Sequence, residues 1–201
     1  MNVDKIIQRV KALLTSPKTE WPVIAAEPTT IADLFKGYAM ILAAIPAICV
    51  FLKFSVFGMG AGFVGTYRIG VGAGLSQLLI SYVLSLVAIY IAGLIIEALA
   101  PRFGGQKDRL QAMKTAVYSN TAGWVAGFGF LIPGIGTLIV LAGAVYGIYL
   151  LYLGLPHTMK SSAEKTGGYT AAIVIVSLIL FIIAGYLTSS VTGMGMRTGA
   201  G

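Results

Sequence analysis

Long runs of apolar residues dominate the chain and alternate with short polar segments. Each of five runs has the length of about 17–25 residues that a helix needs to cross the hydrocarbon core of a bilayer, which is ~30 Å thick. Because backbone polar groups find no water partners in lipid, runs of this length predict helices. We therefore predict an all-α polytopic membrane protein with five transmembrane helices, at Leu34–Phe57, Leu75–Ala98, Ala116–Ile132, Gly134–Leu155 and Thr170–Val191.

The polar segment before the first run has a different pattern. Its apolar residues recur at helical spacing with charged residues on the other face, which predicts an N-terminal amphipathic helix ended by Ser16-Pro17. Such a helix is suited to lie in the cytoplasmic membrane interface, with basic residues near anionic lipids. The alternative is packing against the protein's own cytoplasmic loops. The residues expected at the membrane surface are Ile6, Ile7, Val10, Leu13, Leu14 and Trp21.

These patterns divide the chain into three parts. Residues 1–29 form a cytoplasmic segment with the amphipathic helix, residues 30–192 form the five-helix transmembrane domain, and residues 193–201 form a glycine-rich tail that we expect to be disordered. Thr30 and Asp33 have the spacing of a helix capping pair, which predicts that the first membrane helix begins near residue 31.

Composition and charge agree with membrane residence. The mean hydropathy is +0.89 and only 10% of residues are charged, against about a quarter in soluble proteins. Ten basic residues flank the runs on one side and two on the other, which predicts a multi-pass inner (cytoplasmic) membrane protein with its N-terminus in the cytoplasm and its C-terminus outside. The net charge of +7 is thus a topology signal, and no nucleic-acid partner is expected.

The most informative ionisable residue is Glu97, which lies inside the end of the second run. A charge at the centre of a membrane helix costs about 2.5–3.5 kcal/mol, and less near the interface, so it usually faces a partner or a cavity. Two interpretations stay open: an ion pair with Lys36 or Arg102 that joins helices, and a proton or cation relay. The neighbouring candidate residues are Pro101, Phe103 and Gly104.

Other candidate side chains lie at the end of the fourth run. Tyr146, Tyr149 and Tyr152 fall on one broad helical face, which indicates either an aromatic belt at the interface or the lining of a polar groove. His157 is the single histidine and Cys49 the single cysteine, so we expect no metal, no cofactor and no disulfide. The sequence lacks hydrolase motifs such as GxSxG and HExxH, which argues against an enzyme.

Glycines at four-residue spacing occur in the third and fourth runs. The pairs are Gly123 with Gly127 and Gly143 with Gly147. Small residues at this spacing let helix backbones approach closely in lipid. The same geometry serves packing within one molecule or a homo-oligomer, and the sequence leaves both open.

Several segments together resemble the Yip family of Ypt- and Rab-interacting membrane proteins in its short prokaryotic form. They are 9–21, 97–105, Tyr118-Ser119 before Trp124, and 146–156. The resemblance implies five membrane spans; eukaryotic members are implicated in vesicle traffic and bind small Rab GTPases through a long N-terminal region. This chain departs there, with about thirty residues before the first span and no Asp-Leu-Tyr-Gly-Pro stretch.

Our functional hypothesis is a non-enzymatic integral membrane protein with an organising, scaffolding or trafficking-like role. It would act through self-association and through contacts with the lipid bilayer or other membrane proteins. The alternative is a small transporter or channel with Glu97, Lys36 and the tyrosine face in a polar path.

Overall fold

The chain begins with two helices that fold back on each other. The computed structural model describes residues 2–60 and 66–197, which are almost entirely helical. Helices α1 (Val3–Thr15) and α2 (Pro17–Ala26) meet at Ser16. Proline at the start of α2 suits this junction, because the first helical position needs no amide hydrogen. We call α1 and α2 together the N-terminal hairpin.

The N-terminal hairpin packs against the rest of the protein. Ile6 and Leu13 on α1 and Ile24 on α2 are buried in the core, and Val10 and Leu14 pack on it partly buried. Ile7, by contrast, is 59% exposed. The alternative interpretation of α1, packing against its own protein, therefore describes most of its apolar residues. Its placement at a membrane interface stays a prediction.

Trp21 does not lie where we expected. The sequence predicted a ring in the headgroup region, but Trp21 is fully buried. Its ring packs so closely on Gly154 that a Cβ at that glycine would lie 2.7 Å from the ring. A fully buried tryptophan contributes more apolar contact than one at an interface, so it fixes α2 to the long helix Gly136–Thr158, which contains Gly154.

The first membrane helix runs from Ile31 to Phe57. The hydroxyl oxygen of Thr30 accepts a hydrogen bond from the Asp33 amide at 3.1 Å, which is the cap that the sequence predicted. Gly58, with φ of 77°, ends the helix. Its parts are α3 (Ile31–Leu34), a π-helical turn (Phe35–Ala39), α4 (Met40–Phe51) and a second π-helical turn (Leu52–Phe57).

A short connection leads to the second membrane helix. Strands β1 (Met59–Gly60) and β2 (Thr66–Tyr67) pair antiparallel. Helix α5 (Val71–Leu99) follows and continues in a 3-10 turn (Ala100–Phe103). Gly104 ends this turn in the left-handed region, with φ of 73°, where a residue with a Cβ would be strained.

The third predicted span is not a continuous helix. It consists of α6 (Arg109–Ser119), α7 (Thr121–Ala126) and a 3-10 turn (Gly127–Leu131), which we call the broken segment. At the first break the Asn120 side chain donates to the Ala116 carbonyl at 2.7 Å. Asparagine side chains compete in this way with the backbone, and glycines weaken the helix further on.

The prediction of five spans is therefore wrong in number. Within 2–60 and 66–197, four helices are long and apolar enough to cross a membrane. They are Ile31–Phe57, Val71–Phe103, Gly136–Thr158 and Ala163–Leu180. The third of these is α8 (Gly136–Thr158), and the fourth belongs to α9 (Ala163–Arg197). Helix α9 thus extends into the tail that we expected to be disordered, and 198–201 lie outside the described residues.

The broken segment nevertheless follows α8 along its length, in the opposite direction. At one end the backbones of Gly129 and Gly136 are so close that a Cβ on Gly136 would lie 2.0 Å from the Gly129 carbonyl oxygen. At the other end the hydroxyls of Thr115 and Thr158 are 2.6 Å apart. The chain therefore passes from one end of the bundle to the other within the broken segment.

The core of the protein lies where the N-terminal hairpin meets one end of the bundle. In the most apolar stretch of each membrane helix, only 17% to 28% of the residues are buried. Most of these residues are therefore at least partly open to lipid. The largest fully buried side chains cluster instead near the hairpin, and they include Trp21, Tyr38, Met113, Lys114, Leu155 and Met159.

Candidate functional site

A buried lysine joins the N-terminal hairpin to the broken segment. Lys114 is 1% exposed, and its ammonium donates to the backbone carbonyls of Ile24, Ala25 and Glu27 at 2.8, 3.2 and 2.7 Å. The last carbonyls of a helix have no partner within the helix, and a cation there also interacts favourably with the helix dipole. Lys114 therefore caps the end of α2 from a different part of the chain.

The surroundings of Lys114 affect its protonation. Burial lowers the pKa of the ammonium below its usual range, while the charges of Glu27 and Asp108 act in the opposite direction. The side chain of Gln111 adds a second donor to the Ala25 carbonyl at 2.9 Å. Lys114 and Gln111 together thus donate hydrogen bonds to three backbone carbonyls at the end of α2.

A second charged residue, Arg9, lies between the two helices of the hairpin. Its guanidinium pairs with the carboxylates of Glu20 and Glu27, and its side chain is only 10% exposed. The same group lies over the ring of Tyr118, 5.6 Å from the ring centre, a cation–π distance. Arg9 therefore links α1, α2 and the broken segment. We call Arg9, Glu20, Glu27, Lys114 and Tyr118 the junction cluster.

The junction cluster continues into the first membrane helix through hydroxyl groups. The Tyr38 hydroxyl lies 2.9 Å from the Thr121 hydroxyl, and the rings of Tyr38 and Tyr118 are 4.8 Å apart. Its charged groups are occupied by protein partners. The arrangement therefore holds the helices together.

The sequence did not identify the junction cluster, although one signal was present. We interpreted Arg9 and Lys114 as topology signals, and placed Arg9 on the polar face of the amphipathic helix. Arg9, however, is three residues from Ile6 and four from Leu13, so it lies on the face of α1 that is buried. A charge on an apolar face indicates a buried partner. Lys114 lies in a polar stretch, where no comparable signal exists.

Glu97, our main candidate, pairs with neither expected partner. Its carboxylate accepts a hydrogen bond from the Nε of Arg109 at 2.9 Å, and this pair raises the pKa of the Arg109 guanidinium. Lys36 and Arg102 are exposed. The glutamate is 10% exposed in its side chain and the arginine 57%, so the pair joins the end of α5 to the start of α6.

The candidate residues after Glu97 form a structural turn. The ring of Phe103 stacks on Tyr169 with centres 5.0 Å apart, and Pro101 is exposed. The backbone of Gly105 leaves so little space that a Cβ there would lie 2.8 Å from the Met159 carbonyl oxygen. The turn thus fixes the ends of α5 and α8 and the start of α9 to one another.

The tyrosine face and His157 lie mainly outside the bundle. Tyr149 and Tyr152 are 40% and 45% exposed, and His157 is exposed. Tyr146 is partly buried and donates to the Leu14 carbonyl at 3.0 Å. The groove interpretation of this face fits two outward-facing tyrosines poorly. Within the part of the chain that the structure describes, no three His, Cys, Asp or Glu residues group as metal ligands.

Three of the four predicted packing glycines make close contacts inside one molecule. A Cβ on Gly127 would lie 2.8 Å from Pro46, one on Gly143 would lie 2.2 Å from the Ala126 Cβ, and one on Gly147 would lie 3.0 Å from a backbone oxygen of the broken segment. Gly123 differs, because its Cβ position has open space around it. Gly123 instead lines an internal cavity.

This cavity has a volume of about 830 Å³ and lies between α5, the broken segment, α8 and α9. Its walls are mostly apolar, with a few serine and amide side chains. Such a composition is typical of sites for small apolar molecules.

Comparisons with known proteins agree on one family. Residues 11–185 match the model of the Yip1 domain. The inner membrane protein YohC of Escherichia coli K12 is 26% identical over 194 residues, which cover 95% of this chain and 99% of that protein. YohC of Escherichia coli O6:H1 matches with the same figures. No solved structure matches the chain. Because the model spans most of its length, this chain belongs to the Yip1 domain family.

Proposed function

We propose that this chain is a non-enzymatic, multi-pass protein that organises the bilayer and adjacent membrane proteins through its N-terminal hairpin. One observation carries the proposal: α1 has a free apolar and basic side. Val3 and Ile7 are 67% and 59% exposed, and Lys11 is exposed as well. Residues four apart lie along one side of a helix. We call these three residues the free stripe.

The junction cluster supports this role by fixing the position of the free stripe. Arg9 and Lys114 hold the hairpin on the bundle, so α1 has a defined place next to the membrane helices. A stripe of two apolar residues and a lysine suits a lipid surface that carries negative charge. The preferred contact is therefore the anionic leaflet into which the bundle is inserted.

We place the protein in the cytoplasmic membrane, since its relatives in Escherichia coli are inner membrane proteins. The three basic segments lie at one end of the bundle: Lys114 contacts the end of α2, and Gly104 lies beside Ser162. The bias toward basic residues in cytoplasmic loops makes that end cytoplasmic. The N-terminus is then cytoplasmic, and α9, which starts at that end, leads the C-terminus outside.

Two other hypotheses have less support. A conduit needs Glu97 to face a polar path, whereas the carboxylate is paired with Arg109. Self-association through the predicted glycine faces needs them to be free, whereas Gly143 and Gly147 are used inside the molecule. Contact with lipid through the free stripe requires neither condition.

The experiment measures how close α1 lies to acyl chains. A fluorophore on Thr15→Cys, one turn beyond Lys11, is placed in nanodiscs that contain anionic lipid with brominated chains. We expect quenching in this parent and strong loss of quenching in Ile7→Glu, because burying an isoleucine contributes about 1.5–3 kcal/mol. The control Gln8→Glu adds the same charge at an exposed polar position. An unquenched parent, or equal loss with Gln8→Glu, contradicts the proposal.

A further inference from the structure

Along α5, the wall of the cavity is more polar toward the start of the helix and apolar toward its end. On α5, the side chains of Gln77, Ser81 and Ser85 line it toward the start of the helix, and Ile89 and Ile96 line it toward the end. The first three are four residues apart and so form one polar row. The α5 wall therefore has the polarity of an amphiphile, with its polar part away from the N-terminal hairpin.

One further polar group reaches the cavity from the broken segment. Asn120 uses its amide nitrogen on the Ala116 carbonyl, which leaves its side-chain oxygen as an acceptor. Ser119 also lines the cavity, but its hydroxyl oxygen is itself buried.

The two hydroxyls of the polar row can act as acceptors. Ser81 donates to the Leu78 carbonyl at 3.1 Å and Ser85 donates to the Tyr82 carbonyl at 2.8 Å. Each hydroxyl oxygen keeps lone pairs for an incoming donor. None of the described residues that line the cavity is charged. The lining therefore suits a neutral ligand with hydroxyl groups, which both donate and accept, and offers no cation to a carboxylate or phosphate.

The cavity opens toward lipid. Ile148 and Leu178 line it and are also 41% and 56% exposed on the side of the bundle. At about 30 Å³ for each water-sized group, 830 Å³ holds about 28 non-hydrogen atoms. One long acyl chain with a small head group fits this volume, and a two-chain phospholipid does not.

We propose that the cavity binds one single-chain, uncharged lipid with a hydroxyl head group, of the monoacylglycerol class. The head group lies at the polar row and bonds to the Asn120 side-chain oxygen, and the acyl chain extends toward Ile96. The inference extends the proposed role in lipid contact, on which it rests, from the free stripe at the membrane surface to a defined site between the helices.

Native mass spectrometry of the detergent-solubilised full chain with mono-oleoylglycerol tests the proposal. We expect one bound molecule per chain and a fall in affinity of about tenfold or more in Gly123→Leu, whose side chain enters the cavity. Gly167→Leu is the matched control, because its Cβ also meets open space and it lies outside the cavity. Equal binding by both variants overturns the proposal, as does equal or tighter binding of oleate, which has the same chain and a charged head.

A measurement on the parent covers the case in which Gly123→Leu does not fold. A photoreactive mono-oleoylglycerol should label peptides of 116–124 and 143–151, which line the cavity. Labelling confined to exposed outer residues such as Leu138 and Ile175 overturns the proposal. Ile7→Glu separates the two proposals: it should bind mono-oleoylglycerol normally even if the free stripe has no contact with lipid.

Discussion

Replacement of Lys114 by methionine keeps a side chain of similar length and removes the ammonium that caps α2. The carbonyls of Ile24 and Glu27 then lose their donor, while Ala25 keeps the Gln111 amide. A buried carbonyl left without a partner costs about 1–3 kcal/mol, and we expect a loss of that size, because only the Ile24 bond is fully buried and the saved desolvation of the ammonium offsets part of the cost. This free energy stabilises the docked hairpin, because the bonds join α2 to α6.

Hydrogen exchange measured in nanodiscs reports this local stability. A loss of about 1–3 kcal/mol corresponds to exchange roughly 5- to 140-fold faster, and we expect it for the amides of α2 in Lys114→Met. Amides in the middle of α5 should keep their parent rates, because the change is local. Lys107→Met, at an exposed position of the same connection, is the control. Exchange in α2 that matches the Lys107→Met control would refute the capping role of Lys114.

Two further substitutions test contacts between helices through the melting temperature. Gly143→Leu should melt well below the parent and lose about 1–3 kcal/mol or more of stability, because a Cβ at Gly143 would lie 2.2 Å from the Ala126 Cβ. Gly123→Leu should melt like the parent, and an equal loss in both variants would contradict the packing argument. Glu97→Gln should cost about 1 kcal/mol or less, since Arg109 is 57% exposed; a loss as large as that of Gly143→Leu would show that the pair matters more.

The sequence alone determined the membrane class, the start of the first membrane helix and the family. In lipid, the backbone of a long apolar run satisfies its hydrogen bonds by forming a helix. The Thr30 cap depends only on residues close in sequence. The membrane class and the start of the first helix can therefore be predicted without tertiary structure. The same holds for the positions of four long helices, which depend on segment hydropathy. The prediction of a continuous helix for the third run was wrong, because hydropathy does not include the competition of the Asn120 side chain for backbone hydrogen bonds or the low helix propensity of glycine.

Only the tertiary structure decided which polar groups meet. Lys114 and Ile24 are 90 residues apart in sequence, but the Lys114 ammonium lies 2.8 Å from the Ile24 carbonyl oxygen. Glu97 pairs with Arg109 and not with Lys36 or Arg102. Amphipathic spacing assigned α1 an apolar face, but either lipid or protein can cover such a face. The packing of the hairpin on the bundle decides which residues the protein covers: Ile6 is buried and Ile7 is exposed. Long-range contacts of this kind depend on how the helices pack against one another, and no local pattern encodes that packing.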